Sequence, residues 1–384
     1  MQHFNQTNIH SLSFPDTFNG QYAKRLLLPL IKKGTLQFFD NVDCKIELLV
    51  VNNEFIPISI TQAKAKIKNS YVCSPITHYV DYGFREIDIE FPNRPLLKGF
   101  CKSVLWSFKT AFIRSSFDQV VMVNNWLLST NLYPNLTTSD IEEINRFLIK
   151  RFPEHAIIYR SVNPLLNGEL LETLSKAGFE RILSRQVYLI DPKKGIYKKK
   201  KAYKIDLSLE RKTTDLQWFD ASHISPEDLP RLKALYDDLY LQKYAEYNPQ
   251  LTLSFFEHVL KEKWLNMWVL KDKQTSQIEA VIGYFNRNGV MTTPVIGYNR
   301  QIPQKKGLYR LITLQIIKQA VENGYLLHMS SGASQFKKIR GGEPYLEYNM
   351  VYYKHLPMSQ RVPWSAFEGL TKYLAVPIFE RFEL

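Results

Sequence analysis

Two rhythms of apolar and polar residues divide the chain, a period near two that marks strands and one near 3.6 that marks helices. Tyr22–Ile31 has the spacing of a short amphipathic helix. Cys44–Val51 and Phe55–Ile60 are strand-like runs on either side of Asn52-Asn53, and asparagine tolerates the positive φ of a tight hairpin. Asn69–Tyr82 is irregular and rich in aromatic residues, while Leu96–Ser115 has helical spacing and is expected to bury one face. Val120–Asn131 reads as a long central strand or strand pair. A helix follows from Thr138, with Thr138 or Ser139 as its cap, to about Arg151. Then come a strand at Ala156–Arg160, a helix from Gly168 to Lys176 that stops at Gly178, and a strand at Ile182–Ile190.

The second half repeats that order. Leu229–Leu241 and Leu253–Trp264 are helical, and Asn266–Lys271 and Ile278–Asn286 look like paired strands. Gly289–Tyr298 is a strand, Leu311–Val321 a helix and Leu326–Ser330 a short buried strand. Ser331–Arg340 reads as a turn and short helix, Glu347–Tyr353 as a further strand, and the tail Trp364–Leu384 returns to helical spacing. Strand, helix, strand, helix, strand thus occurs over 120–190 and again over 289–353. The pattern predicts two domains: 1–192 and 205–384, joined by Lys193–Lys204, whose seven lysines and lack of acids suit an exposed linker.

Between the strand ending at Tyr298 and the helix beginning near Leu311 lies Gln304-Lys305-Lys306-Gly307-Leu308-Tyr309-Arg310. A helix N-terminus offers unpaired N–H groups and a positive dipole end, for which phosphate is the usual guest. Gly307 allows close backbone approach, and Lys305, Lys306 and Arg310 add charge. A strand, Gln-x-x-Gly-x-Gly/Ala and a helix resembles the pyrophosphate motif of the GNAT acyltransferase superfamily. Gln304 and Gly307 match it; Tyr309 stands where that motif has a small residue. Lys337 lies four residues before Gly341, where many GNAT enzymes carry a proton-donating tyrosine. A lysine there is similar to the Fem-type aminoacyltransferases, which are GNAT folds in tandem. The resemblance implies an α/β fold of two GNAT-like units, each a mixed central sheet flanked by helices, the first without its cofactor loop.

Composition narrows the partners. A net charge of +13 and a pI near 9.3 favour a polyanion: coenzyme A, an acidic carrier protein, tRNA or an anionic membrane surface. No run of about 18 apolar residues predicts a membrane span. The start of the chain lacks the basic and apolar regions of a signal peptide, and Cys44, Cys73 and Cys101 have no metal-ligand spacing, which fits reduced thiols in the cytoplasm. No serine has a His/Asp partner at a motif spacing, so a serine hydrolase is excluded, and no metal is expected.

Acyl transfer to an amine needs a base for the amine, polarisation of the carbonyl and a proton for the leaving group. Glu347 and His328 are candidate bases, against the plainer readings of a strand carboxylate and a satisfied core histidine. Tyr309 and Lys337 are candidates for polarisation or leaving-group departure, and Arg340 with Gly341-Gly342 for an anion-receptive turn or a simple bend. Gln304, Lys305, Lys306, Gly307, Leu308 and Arg310 would hold an acyl-CoA or acyl-phosphopantetheine donor. Asn124, Asn125, Trp126, Asn131 and Tyr133 either orient a polar substrate or satisfy buried backbone. Ser330 and Ser331 are further substrate candidates, and by the resemblance Tyr240, Lys243, Tyr244, Asn248 and Pro249 line the acceptor site. The expected function is acyl transfer from acyl-CoA or an acyl carrier protein to a small-molecule primary amine. The alternatives are aminoacyl-tRNA-dependent transfer of the Fem type and a non-catalytic module that binds an acyl carrier or RNA.

Overall fold

Asn52 and Asn53 both adopt the left-handed conformation, φ 47° and 64°, and close the first hairpin with Val51 opposite Glu54. This is a computed structural model, and it describes residues 1–63, 69–90, 94–377 and 379. The chain forms two compact units. The first comprises 1–184, 247–250 and 347–383, and the second 185–246 and 251–346.

In chain order the first unit contains β1 (Gln2–Phe4), α1 (Phe18–Lys33), β2 (Lys45–Val51), β3 (Glu54–Thr61), α2 (Tyr82–Glu90), α3 (Pro95–Arg114), β4 (Val120–Val123), α4 (Thr138–Arg151), β5 (Ala156–Val162) and α5 (Pro164–Lys176). β6 (Glu180–Ile190) begins there and ends in the second unit. The second unit continues with α6 (Ile196–Lys199), α7 (Lys201–Lys212), β7 (Leu216–Asp220), α8 (Leu229–Asp237), α9 (Leu253–Glu262), β8 (Asn266–Asp272), β9 (Ile278–Arg287), β10 (Val290–Tyr298), α10 (Leu308–Glu322), β11 (Leu326–His328) and α11 (Ser334–Lys338). β12 (Glu343–Tyr352) crosses back, and α12 (Met358–Leu370) lies in the first unit.

Each unit has the same ladder. In the first, β2, β3 and β4 pair antiparallel, β4 and β5 pair parallel, and β12 closes antiparallel on β5. In the second, β8, β9 and β10 pair antiparallel, β10 and β11 pair parallel, and β6 closes antiparallel on β11. The repeat is therefore real, and its closing strands are exchanged: each unit ends on the strand that sequence order assigns to the other. This departs from a boundary at 192–205. The lysine segment 193–204 is itself largely helical, and α7 packs within the second unit.

Burial follows the ladders. In the first unit Ile141, Ile144, Leu148, Leu171 and Leu174 from α4 and α5 cover one sheet face, while Phe112, Phe117, Trp364 and Phe367 cover the other. The α4 N-terminus carries a capping box, with the Thr137 hydroxyl accepting from the Asp140 N–H and the Asp140 carboxylate accepting from the Thr137 N–H. In the second unit Leu311, Ile312, Ile316 and Ala320 of α10 pack on Ile282, Met291 and Leu327.

Two expectations change, and a third holds over the described residues. The run 120–131 is a strand only to Val123, because Asn124 (φ 55°) and Leu127 (φ 61°) turn the backbone out of the ladder. The helix from Leu229 continues past Asp237 as a π-helical turn to Tyr244. The tail is helical through α12, while 378 and 380–384 of the expected tail helix lie outside the described residues.

Gly297 on β10 lies under α8, where an added Cβ would stand 2.6 Å from the Leu235 carbonyl carbon. Backbone cannot swing aside as a side-chain tip can. Gly297→Ala is expected to cost about 1–3 kcal/mol, measured by urea unfolding; no loss would show that α8 does not rest on this strand.

Candidate functional site

β10 and β11 pair only at Val290–Thr292 against Leu326–His328. Beyond them the β9–β10 ladder slips between Thr292 and Val295, where Pro294 has no N–H to give. β10 runs on to Tyr298 while β11 stops, so the parallel pairing ends where the candidate residues begin.

The turn after β11 is strained. Ser330 (φ 59°), Gly332 (φ 76°) and Ala333 (φ 50°) are all left-handed, and two of the three carry a Cβ. That bend sets α11 so that Lys337 points back under it. Lys337 Nζ donates to the Ser331 carbonyl (2.6 Å) and the Ser330 carbonyl (3.2 Å), and it lies over the Tyr188 ring at 5.6 Å. The Ser330 carbonyl also accepts from the Tyr188 N–H (3.2 Å), and the Ser330 N–H donates to His328 Nδ1 (3.1 Å). Lys337 is only 5% exposed. Burial, helped by the charge of Arg185, pushes its pKa down to about 7. A lysine that gains and loses a proton near neutrality, held on backbone carbonyls, is suited to proton transfer.

Aromatic rings flank this turn. Tyr309 packs on Phe336 at 4.9 Å and near Tyr298 at 5.8 Å, and burial holds its hydroxyl well above the usual tyrosine range. Tyr240 and Tyr244 lie 6.3 Å apart, and Lys243 sits over the Tyr244 ring and 3.4 Å from the Tyr298 hydroxyl. Lys337, Ser330, Ser331, His328, Tyr309, Tyr240 and Tyr244 thus all belong to the second unit, and the first four are joined by direct hydrogen bonds.

Glu347 belongs to the first unit, buried at 1% exposure on β12, where its charge adds to the effects that raise the Tyr133 hydroxyl pKa. Asn248 and Pro249 also belong to the first unit, with the Asn248 carbonyl accepting from Asn41 Nδ2. The asparagine stretch serves its own loop. Asn124 Nδ2 donates to the Leu132 carbonyl, and Asn124 Oδ1 accepts from the Trp126 indole. Asn125 Nδ2 donates to the Val72 carbonyl and Ser59 Oγ, and its Oδ1 accepts from Arg160. Asn131 Oδ1 accepts from the Trp126 N–H, and the Tyr133 hydroxyl donates to the Arg160 carbonyl. Of the two readings of this stretch, the geometry supports satisfaction of buried backbone.

The loop Gln304–Arg310 has the expected form, with Gly307 left-handed (φ 69°) before α10. Its glycine and two of its cations already have neighbours within the chain. α7 lies on it: a Cβ at Gly307 would be 2.6 Å from Leu209 Cδ2. Lys306 is paired with Asp215. Arg310 Nε donates to Asp206 Oδ1 and Arg340 Nε to Asp206 Oδ2, each at 2.6 Å, and Asp206 is 2% exposed. Arg340 also stacks on Phe336 with its guanidinium carbon 3.5 Å from the ring centroid. The anion that Arg310 and Arg340 receive is therefore a carboxylate of this chain. Gly341 (φ 98°) fits against Tyr197, which makes the Gly341-Gly342 pair a packing bend. Sequence reading missed Asp206, although it is the one acid between Lys193 and Leu209.

The two ladders, each with a parallel pair flanked by antiparallel strands and crossed by a helix, define a tandem GNAT fold of the Fem type. Among solved structures, FemX is matched over 94% of this chain and 100% of its own, with a TM-score of 0.51 and 8% identity. The structure titled L-PGS from Bacillus licheniformis is matched over 60% of this chain and 78% of its own, with a TM-score of 0.44 and 17% identity. A tandem GNAT protein from the clavulanic acid biosynthesis pathway is matched over 60% and 75%, with a TM-score of 0.35 and 10% identity. No family model and no curated protein matches the sequence. The likeness to FemX is one of fold.

Proposed function

We propose that this chain is an aminoacyltransferase that moves an aminoacyl group from tRNA to the primary amine of a small acceptor, in the cytoplasm. The observation that carries the reading is Lys337, a buried amine titrating near neutrality on a strained turn. In the reaction the acceptor nitrogen bonds to the ester carbonyl carbon, the carbon–oxygen bond to the ribose breaks, and the amine proton ends on the ribose oxygen. Lys337 is assigned the transfer of that proton, with the Tyr309 and Phe336 rings walling the approach. Fold alone does not establish chemistry, so the assignment rests on this side chain.

Asp206 and α7 support this choice of donor. A loop whose arginine already holds a carboxylate and whose glycine is covered by Leu209 favours a donor other than free acyl-CoA. Lys198, Lys199, Lys201 and Lys204 are exposed along α6 and α7, a row suited to an RNA backbone. The test is binding. Charged or uncharged tRNA is expected to raise Tm and to bind with marked salt dependence. Lys198→Ala/Lys199→Ala/Lys201→Ala/Lys204→Ala is expected to weaken binding and flatten that dependence. Coenzyme A and acetyl-CoA are expected to leave Tm unchanged. A saturable rise with coenzyme A, which would reach about 2.7 kcal/mol at a hundredfold excess over Kd, would return the donor to acyl-CoA.

A further inference from the structure

α3 is apolar on two opposite sides. Inward, Leu105, Phe108 and Phe112 pack with Phe117, Trp364 and Phe367. Outward, Leu96 is 90% exposed, Phe100 65%, Trp106 66% and Ile113 61%. A surface helix normally turns charge to the solvent on the face opposite its core, and single exposed apolar residues need no account. Four on one helix do. At about 100° per residue they fall in an arc of roughly 140°, along a length of about 25 Å.

The cations complete the pattern. From Arg94 to Ser115 the chain has Arg94, Lys98, Lys102, Lys109 and Arg114 and no acid. Lys98 and Lys102 bind Asp88 and Lys109 binds Asp81, while Arg94 and Arg114 are exposed at the two ends of the stripe. Aromatic and aliphatic side chains in a stripe, with arginine at both ends, is the arrangement of a helix that lies in a membrane interface. A second copy of the chain fits less well. One helix face about 25 Å by 10 Å offers some 250 Å², against about 800 Å² per partner in a stable dimer. Among the described residues no helix is long and apolar enough to cross a bilayer, so contact would be in the plane.

We propose that α3 docks this protein on an anionic lipid surface, with Leu96, Phe100, Trp106 and Ile113 in the acyl boundary and Arg94 and Arg114 at phosphate level. The test is flotation of the full chain with vesicles of phosphatidylcholine alone or mixed with phosphatidylglycerol. The wild type is expected to float with the mixture and to be released by salt. Phe100→Glu/Trp106→Glu is expected to weaken binding by roughly tenfold or more, with Tm unchanged because both side chains are exposed. Leu36→Glu, at an exposed apolar residue outside α3, is expected to bind like the wild type. Arg94→Gln/Arg114→Gln is expected to bind more weakly and with less salt dependence. Undiminished binding by Phe100→Glu/Trp106→Glu would overturn the proposal, as would absence of flotation with either vesicle. A wild-type dimer in sedimentation that this variant dissociates would overturn it in favour of a second copy.

Discussion

Lys337→Met is expected to lower the transfer rate by about 10²–10⁴-fold while leaving the fold intact. Methionine fills nearly the same volume and removes a buried amine, and the carbonyls of Ser330 and Ser331 lose one donor each, about 1 kcal/mol apiece. The two effects oppose one another, so stability should stay within about 2 kcal/mol of wild type. pH separates a chemical role from a structural one. In the wild type the rate should change around pH 7, where Lys337 titrates; in Lys337→Arg that limb should vanish because arginine stays charged. Stability should respond with a definite sign. The folded pKa is lowered, to about 7 from 10.5, so between those values the unfolded chain binds the proton that the folded chain has released. Wild-type stability attributable to this group therefore rises from pH 7 towards 10.5 and is flat below 7. Lys337→Met should lack that rise. An unchanged rate in the variant, measured with a donor that the wild type uses, would remove Lys337 from the chemistry.

Asp206→Ala is expected to be the most destabilising single substitution in the second unit, by about 3–5 kcal/mol in urea unfolding. Arg340 is 4% exposed, and without Asp206 its charge stays buried among Phe336 and the helix carbonyl it already binds. Arg310, partly exposed, can turn to water. Phosphate supplied in the buffer should raise the Tm of Asp206→Ala more than that of wild type, because it can take the vacated position between the two guanidinium groups. Asp206→Asn keeps hydrogen bonding without the charge and should lose less. A loss under about 1 kcal/mol in Asp206→Ala would mean that the clamp is solvent-screened, and an equal phosphate effect in both proteins would mean that the carboxylate does not occupy an anion position.

The parts of the fold legible in the sequence were those set by local chemistry. Asn52-Asn53 announced its hairpin because few other residues accept two successive positive φ values. The repeated order of strands and helices was legible for the same reason, since each element carries its own period. Which strand closes which sheet was not, because β6 and β12 have similar apolar runs and nothing in a run names its partner. Val120–Asn131 misled because Trp126, Leu127 and Leu128 continue an apolar run through a turn made by Asn124. α7 hid among lysines: its one fully buried residue is the acid Asp206, and the hydrophobics it turns to the core, Tyr203 and Leu209, are only partly buried. α3 presented the opposite difficulty, since Leu96 and Trp106 look the same on paper whether they face a core or water. At the site, Lys337 was visible by its spacing to Gly341, whereas its depressed pKa depends on Arg185 and burial, both brought by the fold.

The exchange of closing strands has a consequence for synthesis on the ribosome. Val162 of β5 pairs with Tyr348, and Phe112 and Phe117 gain the last of their cover from Trp364 and Phe367. At ~5–20 residues per second, the first unit waits on the order of ten seconds or more with an open sheet edge and incompletely covered aromatic rings. It cannot finish folding before the second unit has been made, although it was translated first. The β5 edge therefore stays open while residues 163–346 are made, and a chain stopped before β12 leaves the first sheet without its closing strand.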